Sequence, residues 1–258
     1  MNYSLLPFPT HAGDEYTGLP DLRAELESRS SNVAQNAIPN LDLLNHVVDL
    51  LEAQPWKIWV NHCRESGGQL HLAVYGGDMG RQVDLNDEIN AGFFLANCEL
   101  GNSDLQASTR IYRVACENGA IVESAQGQSF TIGATDSPPA DWRLQIERVV
   151  QCSFSGDGID ADAVRFKNAM SRMIVTPYEM LCHLSAQGLI TDDDQNAIQS
   201  AFLDAADFSL YGFINAVTSV AHELRANDQW AHAFHIERLG GEILYGHHNL
   251  PSFDAVYR

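Results

Sequence analysis

Residues 56–76, WKIWVNHCRESGGQLHLAVYG, decide the fold class. WKIWVNHCR (56–64) and QLHLAVYG (69–76) alternate apolar and polar side chains, the period of a strand with one buried face. Between them, Ser66-Gly67-Gly68 gives the backbone the freedom a tight turn needs, so the stretch predicts a β-hairpin. The alternation then continues C-terminally. AGFFLANCEL (91–100), a strand over 105–116, AIVES (120–124) and QSFTIG (128–133) extend the expected sheet to about six strands in a mainly antiparallel meander. Asn118-Gly119 is the strongest short turn signal within it.

The period changes on both sides of this sheet. Before it, Leu41, Leu44, Val47, Val48 and Leu51 recur at helical spacing and predict a helix over 40–53, with Asn40 as N-cap and Asp42 in the first turn. After Pro138 the pattern is helical again. Trp142, Ile146, Val149 and Val150 share one face, and a second helix runs over 160–173. Thr176-Pro177-Tyr178-Glu179 opens a third with the signature of a capping box, and Gly188 stops it. Thr191-Asp192-Asp193-Asp194 opens the next, Ser209 caps 210–224, and 228–244 is the last. Strands followed by helices predict an α+β fold: an N-terminal helix on a mainly antiparallel sheet, then a helical C-terminal third. The organisation read from this is an N-terminal arm over 1–39 with a short helix near 20–28, helix plus sheet over 40–136, a helical region over 137–245 packed on the sheet or semi-separate, and a tail over 246–258.

The bulk numbers exclude several classes. Of 258 residues 45% are hydrophobic and 19% charged, a balance that can build a sizeable core. The net charge of −19 opposes polyphosphate partners unless a local basic patch overrides it. Lys57 and Lys167 are the two lysines, and the other cations are scattered arginines with no basic run. The five cysteines form no CxxC pair, so a disulfide framework is not expected and a reducing cytoplasm is. The N-terminus lacks a signal-peptide pattern, and no apolar run reaches the roughly 20 residues that span a bilayer.

Chemical motifs are sparse. Gly76-Gly77-Asp78-Met79-Gly80 lacks the Lys-Ser/Thr of a phosphate loop, and Asp192-Asp193-Asp194 lacks the alternating ligands of a calcium loop. His232 and His235 stand three apart on a helix, but no carboxylate or thiol completes a metal-binding pattern. His62 and Cys63 are strand neighbours and point to opposite faces, so they form no dyad. No catalytic set, metal or cofactor is therefore expected.

Residues 102–119 carry the most information about function: a polar turn (Asn102, Ser103, Asp104), a strand with Arg110, Tyr112 and Arg113, and a turn at Asn118-Gly119 after Cys116. These seven residues, Asn102, Ser103, Asp104, Arg110, Tyr112, Arg113 and Asn118, are the candidate binding site, and all of them but Tyr112 are expected to gather at one end of the strand. Arg110 and Tyr112 share a face that can stack single-stranded bases. Arg113 is read either as a surface contact or as an internal partner of a carboxylate such as Asp104. The stretch resembles the signature of phage- and plasmid-like proteins grouped as domain of unknown function 932, without the His and Gly that usually flank the Asp. Phe213-Ile214-Asn215-Ala216-Val217-Thr218 resembles that family's "xNAxT" helix. The resemblance runs softly over 40–245 and implies a cytoplasmic accessory protein of a mobile element. The acidic charge favours a non-enzymatic protein that binds a protein partner. A single-stranded nucleic-acid module is the alternative, and an enzyme is the weakest reading. The sequence does not give the oligomeric state.

Overall fold

The computed structural model describes residues 6–7, 19–29, 33–85, 87–113, 119–121, 129–133, 141–227, 229–248 and 250. The chain is α+β, as expected. In order its elements are β1 (Leu6–Pro7), α1 (Leu19–Ser28), α2 (Asn40–Glu52), β2 (Ile58–Ser66), β3 (Gln69–Gly76), β4 (Arg81–Asp84), β5 (Asp87–Cys98), β6 (Leu105–Arg113), β7 (Gly119–Ile121) and β8 (Ser129–Ile132). Six helices follow: α3 (Trp142–Ser153), α4 (Gly156–Met170), α5 (Pro177–Ala186), α6 (Asp192–Ala205), α7 (Leu210–Ala226) and α8 (Trp230–Tyr245).

The hairpin that decided the fold class is present. Ser66 pairs with Gln69 across a turn in which Gly67 and Gly68 both take positive φ, 59° and 83°. No L side chain adopts that pair of conformations readily, which is why the turn is Gly-Gly. The sheet runs β1-β2-β3-β5-β6-β7, with β4 paired to β5 and β8 paired to β6. β2–β3, β3–β5, β4–β5 and β6–β8 are antiparallel, whereas the two-residue β1 lies parallel to β2.

Three expectations need correction. Among the described residues the sheet has eight strands, not about six. The additional β4 is four residues long, too short to display a period, and β5 starts at Asp87, four residues before the apolar run that revealed it. Asn40 is not the N-cap of α2. Pro39 occupies that position, and the buried Asn40 side chain donates to the Gly68 carbonyl at 2.9 Å and accepts from Asn97 at 2.8 Å. Thr176 precedes α5 but makes no side-chain bond to the backbone there; its hydroxyl donates to Glu179 instead. By contrast, Thr191 and Asp194 close the capping box of α6 reciprocally, and Ser209 caps α7 through the Gly212 N–H at 3.0 Å. The 118–119 turn and Cys116 fall on or against residues outside the described set.

The residues divide into two compact units. The first takes in 1–80, 90–110 and 125–158. Its core joins Leu22 and Leu26 of α1, Leu43, Leu44 and Val47 of α2, Leu70 and Leu72 of β3, Phe93 and Leu95 of β5, and Ile146 and Val150 of α3. The second takes in 81–89, 111–124 and 159–258. Phe202 meets Phe213 edge to face at 5.7 Å in its core, among buried Leu184, Ile198, Val217, Ile236 and Leu239. α7 and α8 pack closely where Gly240 leaves room for the Thr218 methyl, and Arg225 of α7 pairs with buried Glu237 of α8. No helix among the described residues is long and apolar enough to cross a membrane.

Candidate functional site

A cavity of about 550 Å³ opens in the second unit. Three chain segments build the polar part of its wall. The first is the β4–β5 hairpin, where Asp84 and Asp87 are register partners and leave the same face. The second is Arg113, the last residue of β6, whose Nε donates to Asp87 Oδ2 at 2.6 Å. The third is the α6–α7 connection. There Ala206 ends α6 in the left-handed conformation, Asp207 Oδ1 accepts from the Ser209 N–H at 3.1 Å, and Tyr211 enters α7. Gly212 is required at this corner, because a Cβ would stand 2.0 Å from the Asp207 carbonyl oxygen. Met170, at the end of α4, adds an apolar edge.

Two contacts lock the wall together. The Arg113 guanidinium lies over the Tyr211 ring, 4.8 Å from its centroid, and Phe166 meets that ring edge-on at 5.7 Å. Asp87 and Tyr211 are 7% and 3% exposed, yet Asp87 Oδ1 and the Tyr211 hydroxyl have no hydrogen-bond partner. Both atoms are closed off from solvent within the wall, so they are unpaired buried groups rather than part of the cavity's open surface.

The residues singled out from sequence are distributed differently. Asn102 and Ser103 are exposed and Asp104 half-buried in the turn that precedes β6, whereas Arg113 closes that strand at its other end. They do not gather at one end. The carboxylate that holds Arg113 is Asp87, not Asp104. Arg110 and Tyr112 are 4% and 1% exposed, so the strand presents no open Arg-aromatic face for bases. Asn118 lies outside the described residues. Of the six that are described, Arg113 alone lines the cavity; Asp84, Asp87, Asp207 and Tyr211 were missed because no local motif connects them.

Other titratable groups have structural settings. Burial pushes the Cys63 thiol up to about 12, leaving it a poor nucleophile. Burial also raises the Asp162 carboxyl, against the opposing pull of the Tyr245 hydroxyl and Arg165. His232 donates to Asp194 at 3.0 Å and His235 to the Leu189 carbonyl at 2.8 Å. Among the described residues no three His, Cys, Asp or Glu side chains gather as a metal site.

No family model, no curated protein and no solved structure matches this chain.

Proposed function

We propose that this protein is a non-enzymatic accessory protein that acts by binding a protein partner rich in basic groups. The phage- or plasmid-type setting and cytoplasmic location implied by residues 102–119 belong to the same proposal. One observation carries it: Asp84, Asp87 and Asp207 surround a cavity in which Arg113 is the counter-charge. Among the described lining residues, three carboxylates against one guanidinium leave a formal charge of −2, within a chain of −19. Such a field steers cationic surfaces toward it and speeds their encounter, and it repels phosphate backbones.

A titration with single-stranded DNA at low and moderate salt tests the reading. No binding at either salt concentration is the expected result. Tight binding that weakens steeply as salt rises would overturn it in favour of a nucleic-acid module.

A further inference from the structure

Among the described residues nine large apolar side chains are exposed, and five of them fall between 173 and 208 in the second unit: Met173, Val175, Tyr178, Leu203 and Phe208. Apolar residues scattered singly over a surface need no explanation, but a concentration of them marks a surface that something covers. The backbone brings the two stretches together. Residues 172–174 run antiparallel to 208–210 as a single bridge, with Met173 opposite Ser209. The Ile174 N–H donates to the Phe208 carbonyl at 2.8 Å, and the Leu210 N–H to the Arg172 carbonyl at 2.7 Å. Phe208 also meets Phe202, the neighbour of Leu203 in the chain, edge to face at 5.7 Å.

In a bridge closed by those two bonds, the opposed residues direct their own N–H and carbonyl away from each other. Met173 thus turns both groups to the edge away from Ser209, and among the described residues neither has a partner. Met173 is 51% exposed and Val175 59%. An open edge of this kind is a template for another strand, and proteins that leave one unused blunt it with lysine or proline. Here methionine and valine stand there instead. An extended backbone is the occupant that satisfies both free groups: one residue set opposite Met173 exchanges two hydrogen bonds with it and lays its side chain on the same face. Charge then chooses among extended chains. Across 172–179 and 203–209 the charged residues are Glu179, Asp204 and Asp207 against Arg172, within a chain of −19. A second copy would bring the same negative charge to the contact, whereas a basic segment complements it. We propose that the Met173 edge receives an extended segment of the protein partner in which apolar and basic side chains alternate. This rests on the partner-binding reading above.

The test is NMR titration of the isotope-labelled full chain with the heptapeptide acetyl-Arg-Val-Arg-Val-Arg-Val-Arg-amide. Beside it run one counterpart with N-methylated valines and one with glutamate in place of arginine. The first peptide is expected to move the Met173 amide resonance and slow its hydrogen exchange. N-methylation, which removes the donor to the Met173 carbonyl, should weaken binding about fivefold or more, the usual consequence of losing one backbone hydrogen bond. The glutamate peptide should not bind. Met173→Lys should weaken the arginine peptide about tenfold, through a lost apolar contact and a like charge on the edge, without lowering the melting temperature, because the residue is exposed. Equal binding of the N-methylated peptide overturns strand addition, and equal binding of the glutamate peptide overturns the basic chemistry. Resonance shifts confined to residues outside 172–179 and 203–210 overturn this edge as the site while leaving the partner reading standing. A dimer of the unbound chain in light scattering that Met173→Lys dissolves overturns the proposal in favour of a second copy. If no peptide binds, the edge assignment falls, and the DNA titration decides the broader reading separately.

Discussion

Arg113 Nε and Asp87 Oδ2 lie 2.6 Å apart, tying the end of β6 to the start of β5 in the second unit. The carboxylate is 7% exposed, and its other oxygen has no partner. Removing the arginine leaves a buried charge with neither counter-ion nor donor on that side. Arg113→Ala should therefore cost about 3 kcal/mol. A melting temperature lowered by several degrees checks it, and Asp87→Asn in the same background should recover part of the loss through a coupling of about 1 kcal/mol or more. Additive effects would show that the pair is not what holds this corner.

The α7–α8 crossing gives a second prediction. A Cβ at Gly240 would stand 2.7 Å from Thr218 Cγ2. That methyl cannot swing aside cheaply, because the Thr218 hydroxyl donates to the Ile214 carbonyl at 3.1 Å. Gly240→Ala should destabilise by about 1–3 kcal/mol despite the higher helix propensity of alanine. Thr218→Ser removes the methyl and keeps the hydroxyl, so the double variant should regain most of the loss in chemical denaturation. No regain would place the strain elsewhere.

What could be read from the sequence was what is local. The 56–76 hairpin declared itself through a period of two and a Gly-Gly turn. The start of α6 declared itself through Thr191 and the three aspartates after it, while the capping box that singles out Asp194 emerged only from the structure. Asn40 misled because it looks like a cap, while its side chain is spent across the first unit on Gly68 and Asn97. Arg110 and Tyr112 misled because a strand buried on both faces has no open side, which alternation alone does not reveal. The cavity was illegible for a related reason. Asp84 and Asp87, Arg113, and Asp207 with Tyr211 come from three distant segments, joined only by folding.

His71 sets a pH dependence. Burial, with the nearby Arg64 charge, lowers its pKa from 6.5 to about 4. The folded chain keeps this imidazole neutral, while the unfolded chain protonates it below about 6.5. Stability is thus fully present above that pH and is lost as pH falls toward about 4, by roughly 3 kcal/mol. Asp162, whose carboxyl is raised, acts in the opposite sense as acid is added. His71→Gln isolates the imidazole: its stability should vary less between pH 7 and 4.5 than the parent's, measured by denaturant midpoints. Identical pH profiles would contradict the assignment.

The three aspartates that open α6 should not be equivalent. Asp192 and Asp193 are exposed and act on the helix terminus only as diffuse charge, an effect of about 0.3–1 kcal/mol each. Asp194 is buried, and its Oδ2 accepts from the Thr191 N–H at 2.9 Å, the Thr191 hydroxyl at 2.7 Å and His232 Nε2 at 3.0 Å. One oxygen thus completes the capping box and links α6 to α8. Asp194→Ala strips the cap and leaves the Thr191 donors and His232 to find new acceptors, so it should cost about 2–3 kcal/mol. Asp192→Ala should stay below about 1 kcal/mol. Salt separates the mechanisms further. Raising ionic strength should shrink the Asp192→Ala effect, which is a screened charge interaction, and leave most of the Asp194→Ala effect, which is hydrogen bonding in a buried setting. Equal costs for the two variants, or equal sensitivity to salt, would mean that Asp194 contributes only its charge and that the contact with His232 adds nothing to the packing of α8 on α6.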